Sequence, residues 1–307
     1  MKVGIVGAGA VGSACAMALI LRGCAREVVL LDKVQERAKA VATDMRYGAP
    51  LSPAVDVRDG GYQDLVGAAL VMITAGVNEK AGGATDRSDP AGRLKLLHSN
   101  THIYHDIVPR VVQAALLIVT DPPEPLADLA RRLAGHDGVF STGTFLDSLR
   151  FRVHLAHSLA ISPAFVDAQV LGEHGTSQVF VWSAARVAGT SVSDLFAQRG
   201  LSAEELRQRV EHDVRYANIT IIEGNDASQF GIGMVSARLA EMVLRDERAV
   251  IPVGCYSAKY GVTLSLPSVI GRRGVVEMLE PDLSKGEQMA LQRSAETLRR
   301  AVQQIGE

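Results

Sequence analysis

The stretch Val3-Gly4-Ile5-Val6-Gly7-Ala8-Gly9-Ala10-Val11-Gly12 decides how the N-terminal half folds. Its first four residues form a short apolar run that reads as a strand, and the small-residue segment Ser13 to Arg22 reads as a helix. Between them stands GxGxxG, in which Gly7 permits a tight turn, Gly9 lets the backbone approach a pyrophosphate and Gly12 lets helix pack on strand. The loop Gly7, Ala8, Gly9, Ala10, Val11, Gly12 would then offer phosphates the free N–H groups and partial positive charge of a helix start. That spelling alone is weak. Its context is stronger, because a second strand, Val28 to Leu31, ends on Asp32, twenty residues past Gly12. A carboxylate there takes the adenosine ribose hydroxyls and repels a 2′-phosphate, so the pattern predicts NAD rather than NADP.

Outward from this unit, apolar runs at Val71 to Thr74 and Leu116 to Val119 alternate with helical stretches, the latter run halted by Asp121-Pro122-Pro123. Such alternation predicts an α/β fold with an N-terminal Rossmann domain, a doubly wound parallel sheet. Thr74-Ala75-Gly76 closes a strand at the carboxyl edge, where ligands of such sheets bind. After about residue 145 the pattern shifts to helical segments such as Leu206 to Ile222 and Ile232 to Leu244. Short strands such as Val179 to Trp182 and Val250-Ile251 are mixed with them, and Lys285 to Gln304 reads as one amphipathic helix. We therefore expect an NAD-binding domain over 1–143 and an α+β catalytic domain over 144–307.

The chain has 307 residues, 47% hydrophobic and 21% charged, with a net charge of −2, which suits a soluble globular protein and argues against a nucleic-acid partner. Cys15, Cys24 and Cys255 lack metal or redox spacing, which suits a reducing compartment without disulfides. Met1-Lys2 leads straight into the first strand with no room for a signal peptide, and no apolar run approaches the roughly 20 residues of a membrane span. The expectation is a cytoplasmic protein.

The chemistry resides in Val170-Leu171-Gly172-Glu173-His174-Gly175, read together with Asp147 and Arg150. A histidine titrates near neutrality, a carboxylate fixes its tautomer, and an arginine grips a planar carboxylate with two hydrogen bonds. Reduction of a 2-oxo acid needs these three: a proton donor, a group that orients it and an anchor. With the glycine loop, Asp32, Thr74-Ala75-Gly76, the run from Arg93 to Asn100, Ile107-Val108-Pro109, Leu146 to Arg152 and Gly172 to Gly175 in this order, the chain resembles the lactate/malate dehydrogenase family.

The resemblance implies NAD, an L-2-hydroxy acid substrate and a homodimer or homotetramer. It implies that His174 is the acid/base, that Asp147 holds its imidazole and that Arg150 clamps the substrate carboxylate. It implies cofactor contacts from Asn100, Val119, Thr120 and Asp121. The family's carbonyl-polarising arginine precedes that asparagine by seven residues, which selects Arg93, although Asp86-Arg87-Ser88-Asp89 resembles the malate-type loop and keeps Arg87 as the alternative. The segment from Asn78 to Gly92 is longer than the usual loop and reads as an inserted lid with Gly82, Gly83 and Gly92 as hinges. Ser228 matches a small hydroxyl residue of the substrate pocket.

Several positions depart from the family. Glu79 stands where lactate enzymes carry glutamine and malate enzymes arginine, Asp121 replaces an asparagine, and Thr176 replaces an aspartate. A carboxylate at 79 cannot pair with a second substrate carboxylate, and an ionised Asp121 only accepts hydrogen bonds. Together they suggest a 2-oxo acid bearing a hydroxyl, amine or imidazole group. Arg152 matches one residue of the fructose-bisphosphate site of bacterial relatives, but the partner position is Asp167, so that regulation is not expected. His98, His102 and His105 would share one helix face, a spacing compatible with zinc or nickel but more usual for a polar stripe; no metal is assigned. Two other functions are compatible with the motifs: malate dehydrogenase, and a non-catalytic NAD-binding protein with a drifted pocket.

Overall fold

A computed structural model describes residues 1–89, 91–111 and 113–305. The N-terminal half runs β1 (Lys2–Val6), α1 (Ala10–Arg22), β2 (Glu27–Leu31), α2 (Gln35–Gly48), β3 (Asp56–Asp59), β4 (Leu70–Ile73), α3 (Leu97–Ile107), β5 (Ala115–Ile118), α4 (Pro123–Ala134) and β6 (Val139–Ser141). After α5 (Phe145–Ser158) come the short strands β7 (Val166–Asp167), β8 (Val170–Leu171), β9 (Val179–Phe180), β10 (Arg186–Val187) and β11 (Thr190–Ser191). Helices α6 (Val192–Gln198), α7 (Ala203–Arg215), α8 (Ala217–Asn225) and α9 (Phe230–Arg245) follow, then β12 (Ala249–Ser257), β13 (Val262–Gly271), β14 (Gly274–Met278) and α10 (Lys285–Gln304).

The main sheet has the order β14-β13-β12-β6-β5-β4-β1-β2-β3. Neighbours from β6 to β3 are parallel, as the alternation of strands and helices requires. The long hairpin strands of the C-terminal half extend this sheet, because β12 pairs antiparallel with β6 at Gly254 and Ser141. Helices cover both faces of the parallel part, which is why its central strands are apolar throughout rather than alternating. One core packs α1, α2 and α9 against Val3, Ile5, Val28 and Leu30, and the other packs α3 and α4 against Val29, Val71, Ile73 and Leu116. The small residues of α1 let α9 approach closely: a Cβ on Gly233 would lie 2.8 Å from the backbone of Ala14.

Elsewhere Phe151, Phe180 and Trp182 pack edge to face, with the Phe151 and Trp182 ring centroids 4.7 Å apart. The segment expected as one helix from Leu206 to Ile222 is two. The α7 stripe of Leu206, Val210 and Val214 is buried, whereas α8 buries Asn218, Ile219 and Ile222. Tyr216, at φ −107° and ψ 9°, breaks the helix, and Asn218 just beyond it reaches the cleft described below.

Candidate active site

A partly open cleft, with a cavity volume of about 100 Å³, lies beyond the carboxyl ends of β4 and β5. Thr74, Gly76 and Glu79 line it after β4, and Val119, Thr120 and Asp121 after β5. The facing wall brings Arg150 from α5, His174 from the turn after β8, Asn218 from α8, and Ser228. Residues drawn from more than two hundred positions of sequence separation thus meet at the sheet edge where α/β proteins bind ligands.

At the nucleotide end, Gly7 adopts φ +110°, a conformation that L side chains rarely tolerate. A Cβ on Gly12 would run into the Gly7 carbonyl oxygen, so helix and strand can meet this closely only through glycine. A Cβ on Gly9, by contrast, would meet nothing within 4 Å, which leaves the loop open on the side where a pyrophosphate would approach. Ala10 begins α1, and Val11 reaches the cleft wall. Asp32 is held by two backbone donors, Ala8 N–H to Oδ2 at 2.8 Å and Val34 N–H to Oδ1 at 2.9 Å. Thr74 Oγ1 donates to the Gly7 carbonyl at 2.8 Å, and Thr120 Oγ1 donates to the Ala75 carbonyl at 2.9 Å, tying the loop to the strand ends. An open glycine turn, a fixed carboxylate and an exposed helix start fit a dinucleotide. Asn100 is fully buried, and its amide accepts from Val77 N–H and donates to the Asp121 carbonyl, both at 2.7 Å. Its side chain therefore ties the two strand ends together.

Asp147 and Arg150 lie one turn apart on α5, a spacing that puts both on one helix face. His174 Nδ1 is hydrogen-bonded to Asp147 Oδ2, and Arg150 Nη1 donates to Asp147 Oδ1 at 3.0 Å. The carboxylate accepts only, so the imidazole carries its proton on Nδ1 when neutral and turns Nε2 toward the cleft. Burial alone would raise the Asp147 carboxyl, but His174, then Arg150 and Arg93, outweigh it and hold the group at about 2. For His174, burial and then Arg93 push the imidazole below its ordinary range, with Asp147 working in the opposite direction.

The two candidate arginines separate cleanly. Arg93, in a 3₁₀ turn over Gly92–Leu96, is only 7% exposed and lines the cleft, its Nε 3.5 Å from Asp121 Oδ2. Arg87 lies outside the cleft lining and donates to Glu223 at 2.9 Å and to Thr220 Oγ1 at 3.2 Å. Lys80 pairs with Asp226, so the segment after β4 is fastened to the end of α8 at two points.

Both unusual carboxyls face inward. Asp121 Oδ1 lies 3.8 Å from His174 Nε2, and the Glu79 carboxyl is within hydrogen-bonding reach of Asp121. Burial holds the Asp121 carboxyl well above its usual range; Arg93 opposes this and Glu79 reinforces it. Burial and Glu79 thus favour the neutral carboxyl at Asp121, which remains turned into the cleft.

Glu124 was invisible to sequence reasoning, because an acid in the first turn of α4 reads as an ordinary helix-start residue. It is wholly buried, accepts from Ser265 Oγ at 2.8 Å and from the His174 backbone N–H at 3.2 Å, and burial pushes it up to about 8. Asn218 also reaches the cleft without a motif to announce it. Thr176 sits beside Arg93 and Gly92, where a Gly92 Cβ would lie 3.2 Å from its methyl group. Arg152 Nη2 is 3.6 Å from Asp167, so the position proposed for a phosphate partner already carries a carboxylate. His98 and His102 meet edge-on at 5.1 Å, and among the described residues no group of three or more metal-ligating side chains is placed to hold an ion. No helix among them is long and apolar enough to cross a membrane.

A glycine loop with its carboxylate, joined to a histidine–aspartate pair and two arginines, defines a dinucleotide-dependent oxidoreductase. Comparison with known proteins agrees. The lactate/malate dehydrogenase NAD binding domain matches residues 1–138, and the alpha/beta C-terminal domain of the same family matches residues 144–307. L-lactate dehydrogenases of Deinococcus radiodurans and Thermus aquaticus are each 43% identical, with all of both chains covered. Among solved structures, the minor L-lactate dehydrogenase of Enterococcus mundtii in a ligands-bound form superposes with a TM-score of 0.91 at 32% identity, covering 99% of this chain and 98% of that one. A lactate dehydrogenase enzyme from a Medee basin deep-sea metagenome library gives 0.91 at 30% identity, covering 100% and 99%. The chain belongs to the lactate/malate dehydrogenase family. It is an NAD-dependent oxidoreductase acting on the CH–OH group of a 2-hydroxy acid, with lactate dehydrogenase-like architecture.

Proposed function

We propose that this protein interconverts an L-2-hydroxy acid and its 2-oxo acid with His174 as the acid/base. The observation that carries this reading is the pairing of His174 Nδ1 with buried Asp147, which leaves Nε2 facing a cleft that also holds Arg150 and Arg93. Bound NADH supplies the hydride. Gly7 to Gly12 and Asp32 would hold its pyrophosphate and adenosine ribose, with Thr74, Gly76, Val119 and Thr120 beside the nicotinamide end. His174 Nε2 gives its proton to the carbonyl oxygen as that oxygen gains charge, and takes it back from the hydroxyl in the reverse direction. Asp147 stabilises the imidazolium needed before donation. Arg150 anchors the substrate carboxylate in a bidentate grip that lysine cannot copy. Arg93 polarises the carbonyl, and its burial strengthens that effect. Asn218 and Ser228 complete the substrate wall.

We place the functional division at 143/144, between β6 and α5, a reading supported by family matches that cover residues 1–138 and 144–307. A homodimer or homotetramer is supported by exposed apolar side chains on adjacent helices, Met17 and Leu21 on α1 with Phe230 and Met234 on α9. Light scattering would test this, a mass of one chain refuting it. Three unpaired cysteines suit the cytoplasm.

The test of the chemistry is NADH oxidation by the purified protein with pyruvate, oxaloacetate, hydroxypyruvate, phenylpyruvate and imidazolepyruvate. At least one should be reduced, and His174→Asn should abolish turnover with NADH affinity nearly unchanged. Undiminished turnover by that variant would overturn the assignment.

A further inference from the structure

A second cavity, of about 460 Å³, lies beyond the turn that carries His174, where residues 177–182 pass between α7 and α10. Contacts along its walls fix its direction. Ser177 Oγ meets Ser294 Oγ at 3.0 Å, whereas Ser183 N–H donates to Glu287 at 3.0 Å, so α10 runs beside this segment from the Ser183 end to the Ser177 end. On α7 the Arg207 guanidinium lies over the Trp182 ring at 5.2 Å, and the Arg215 guanidinium over the Phe180 ring at 5.6 Å. A stretch of helix roughly 12 Å long therefore separates Arg207, at the Trp182 end, from Arg215, which shares the other end with Arg293 and Gln178.

Three of the nine buried side-chain polar atoms without a hydrogen-bond partner among the described residues sit in this one groove: Arg207 Nε, Arg215 Nε and Gln178 Oε1. Gln178 is only 6% exposed, and its amide makes no hydrogen bond among the described residues. It can therefore turn its NH2 toward an anion without breaking an existing contact. Buried polar groups left in this condition point to a ligand.

The charges say which kind. The groove sets three arginines against two carboxylates, Glu211 and Glu287, and both acids are already engaged. Glu211 accepts from Trp182 Nε1 at 2.8 Å, and Glu287 accepts from the Ser183 and Ser284 N–H groups in capping α10. Among the described residues no carboxylate lies within 4.0 Å of the Arg207 or Arg293 guanidinium, and Arg215 approaches Glu211 only at 3.8 Å. Arg207 has a single side-chain partner, Ser193 Oγ at 3.2 Å. Guanidinium groups with free donors, two of them held flat over aromatic rings, match the oxygens of phosphate or carboxylate groups. Their placement at both ends calls for a ligand with more than one anionic group.

We propose that this groove binds a small polyvalent oxyanion of the phosphate class, with Arg207 gripping one end and Arg215, Arg293 and Gln178 the other. The site is separate from the substrate cleft, since none of these four residues lines it.

Trp182 is the chain's only tryptophan and stands in the groove wall, so its fluorescence reports occupancy directly. The full-length protein is titrated with inorganic triphosphate and, separately, with inorganic phosphate, at ionic strength held constant with sodium chloride. Both titrations should saturate, and triphosphate should bind at least about tenfold tighter, because it alone can engage donors at both ends. Arg207→Gln should weaken triphosphate binding about tenfold or more and bring the two anions close together in affinity. Arg293→Gln should weaken both, and each variant should keep the parent's kcat/KM. Absence of saturable binding of triphosphate to the unaltered protein would overturn the proposal, as would a fluorescence change that sodium chloride alone reproduces. Binding undiminished in the Arg207→Gln, Arg293→Gln double variant would place the anion elsewhere and have the same force. Should the variants fail to fold, calorimetry of the unaltered protein saturated with NADH decides: triphosphate heat that persists supports the groove, and heat that disappears assigns the anion to the cofactor loop instead.

Discussion

Replacing Asp147 with asparagine tests the link between burial, charge and catalysis. The side chain is nearly isosteric, so the α5 backbone has no reason to move, but the negative charge on which both His174 and Arg150 rely disappears. Two unit charges about 4 Å apart at an effective dielectric constant of 20 interact by about 4 kcal/mol. Allowing for relaxation and for the hydrogen bond that an amide oxygen still accepts, we expect about 3 kcal/mol of lost imidazolium stabilisation. At about 1.4 kcal/mol per factor of ten, kcat/KM for the reduced oxo acid falls about 100-fold. The imidazole already lies below its ordinary range through burial and Arg93, with Asp147 opposing, so the variant moves it further down and shifts the reduction profile toward lower pH. A separate effect on folding has a definite sign. The carboxyl sits at about 2 against an ordinary 3.8, so it contributes about 2 kcal/mol above the ordinary value, lost as pH falls through about 4 to about 2. The variant should therefore be less stable than the parent at neutral pH and lose less on acidification. Initial rates across pH, NADH titration by fluorescence and thermal melts measure these quantities. A loss below about threefold, or a large loss with an unshifted pH profile, would refute the reasoning.

Other substitutions separate neighbouring roles. Arg93→Gln should lower kcat/KM by at least about 100-fold through loss of a buried charge at the carbonyl, whereas Arg87→Gln, which breaks exposed contacts with Glu223 and Thr220, should change it less than about threefold; steady-state kinetics decide, and equal effects would remove the distinction. Gly9→Ala should leave the melting temperature nearly unchanged, because its methyl meets no protein atom, while weakening NADH binding about tenfold or more. Gly12→Ala should lower both stability and NADH affinity, since its methyl strikes the Gly7 carbonyl, and calorimetry of the two variants checks the contrast. Glu124, raised from 4.5 to about 8 chiefly by burial, stabilises the fold while protonated, and that contribution is lost as pH rises through this window. Glu124→Gln stays neutral, so its melting temperature should fall less than the parent's between about pH 5 and about pH 9; parallel curves would contradict the raised carboxyl.

The parts of this molecule legible in sequence are those whose physics is local or whose residues keep a recognisable order. Gly7 to Gly12 announces a turn because backbone conformation and close packing are properties of a few adjacent residues, and Asp32 follows from the length of one helix and one strand. Asp147 and Arg150 share a helix face by their spacing alone, but their meeting with His174 became readable only through the resemblance of the whole motif series. Contacts made by tertiary folding left no such trace. Nothing near Gly254 or Ser141 signals that β12 continues the parallel sheet, and nothing near Glu124 signals that its oxygens hold the His174 turn from beneath. The Leu206 to Ile222 helix is broken at Tyr216, and Asn218 just beyond the break lines a cleft formed with residues far away in the chain. The carboxyls at 79 and 121 show the boundary most clearly. Sequence could identify each as a departure, and it could state that an ionised Asp121 would have to be neutralised, averted or matched by a donor. Only the fold shows that the two acids share one cleft and that burial with Glu79 raises Asp121 against the pull of Arg93. The chemical identity of each residue was legible; their meeting depended on where the chain just after β4 carries Glu79.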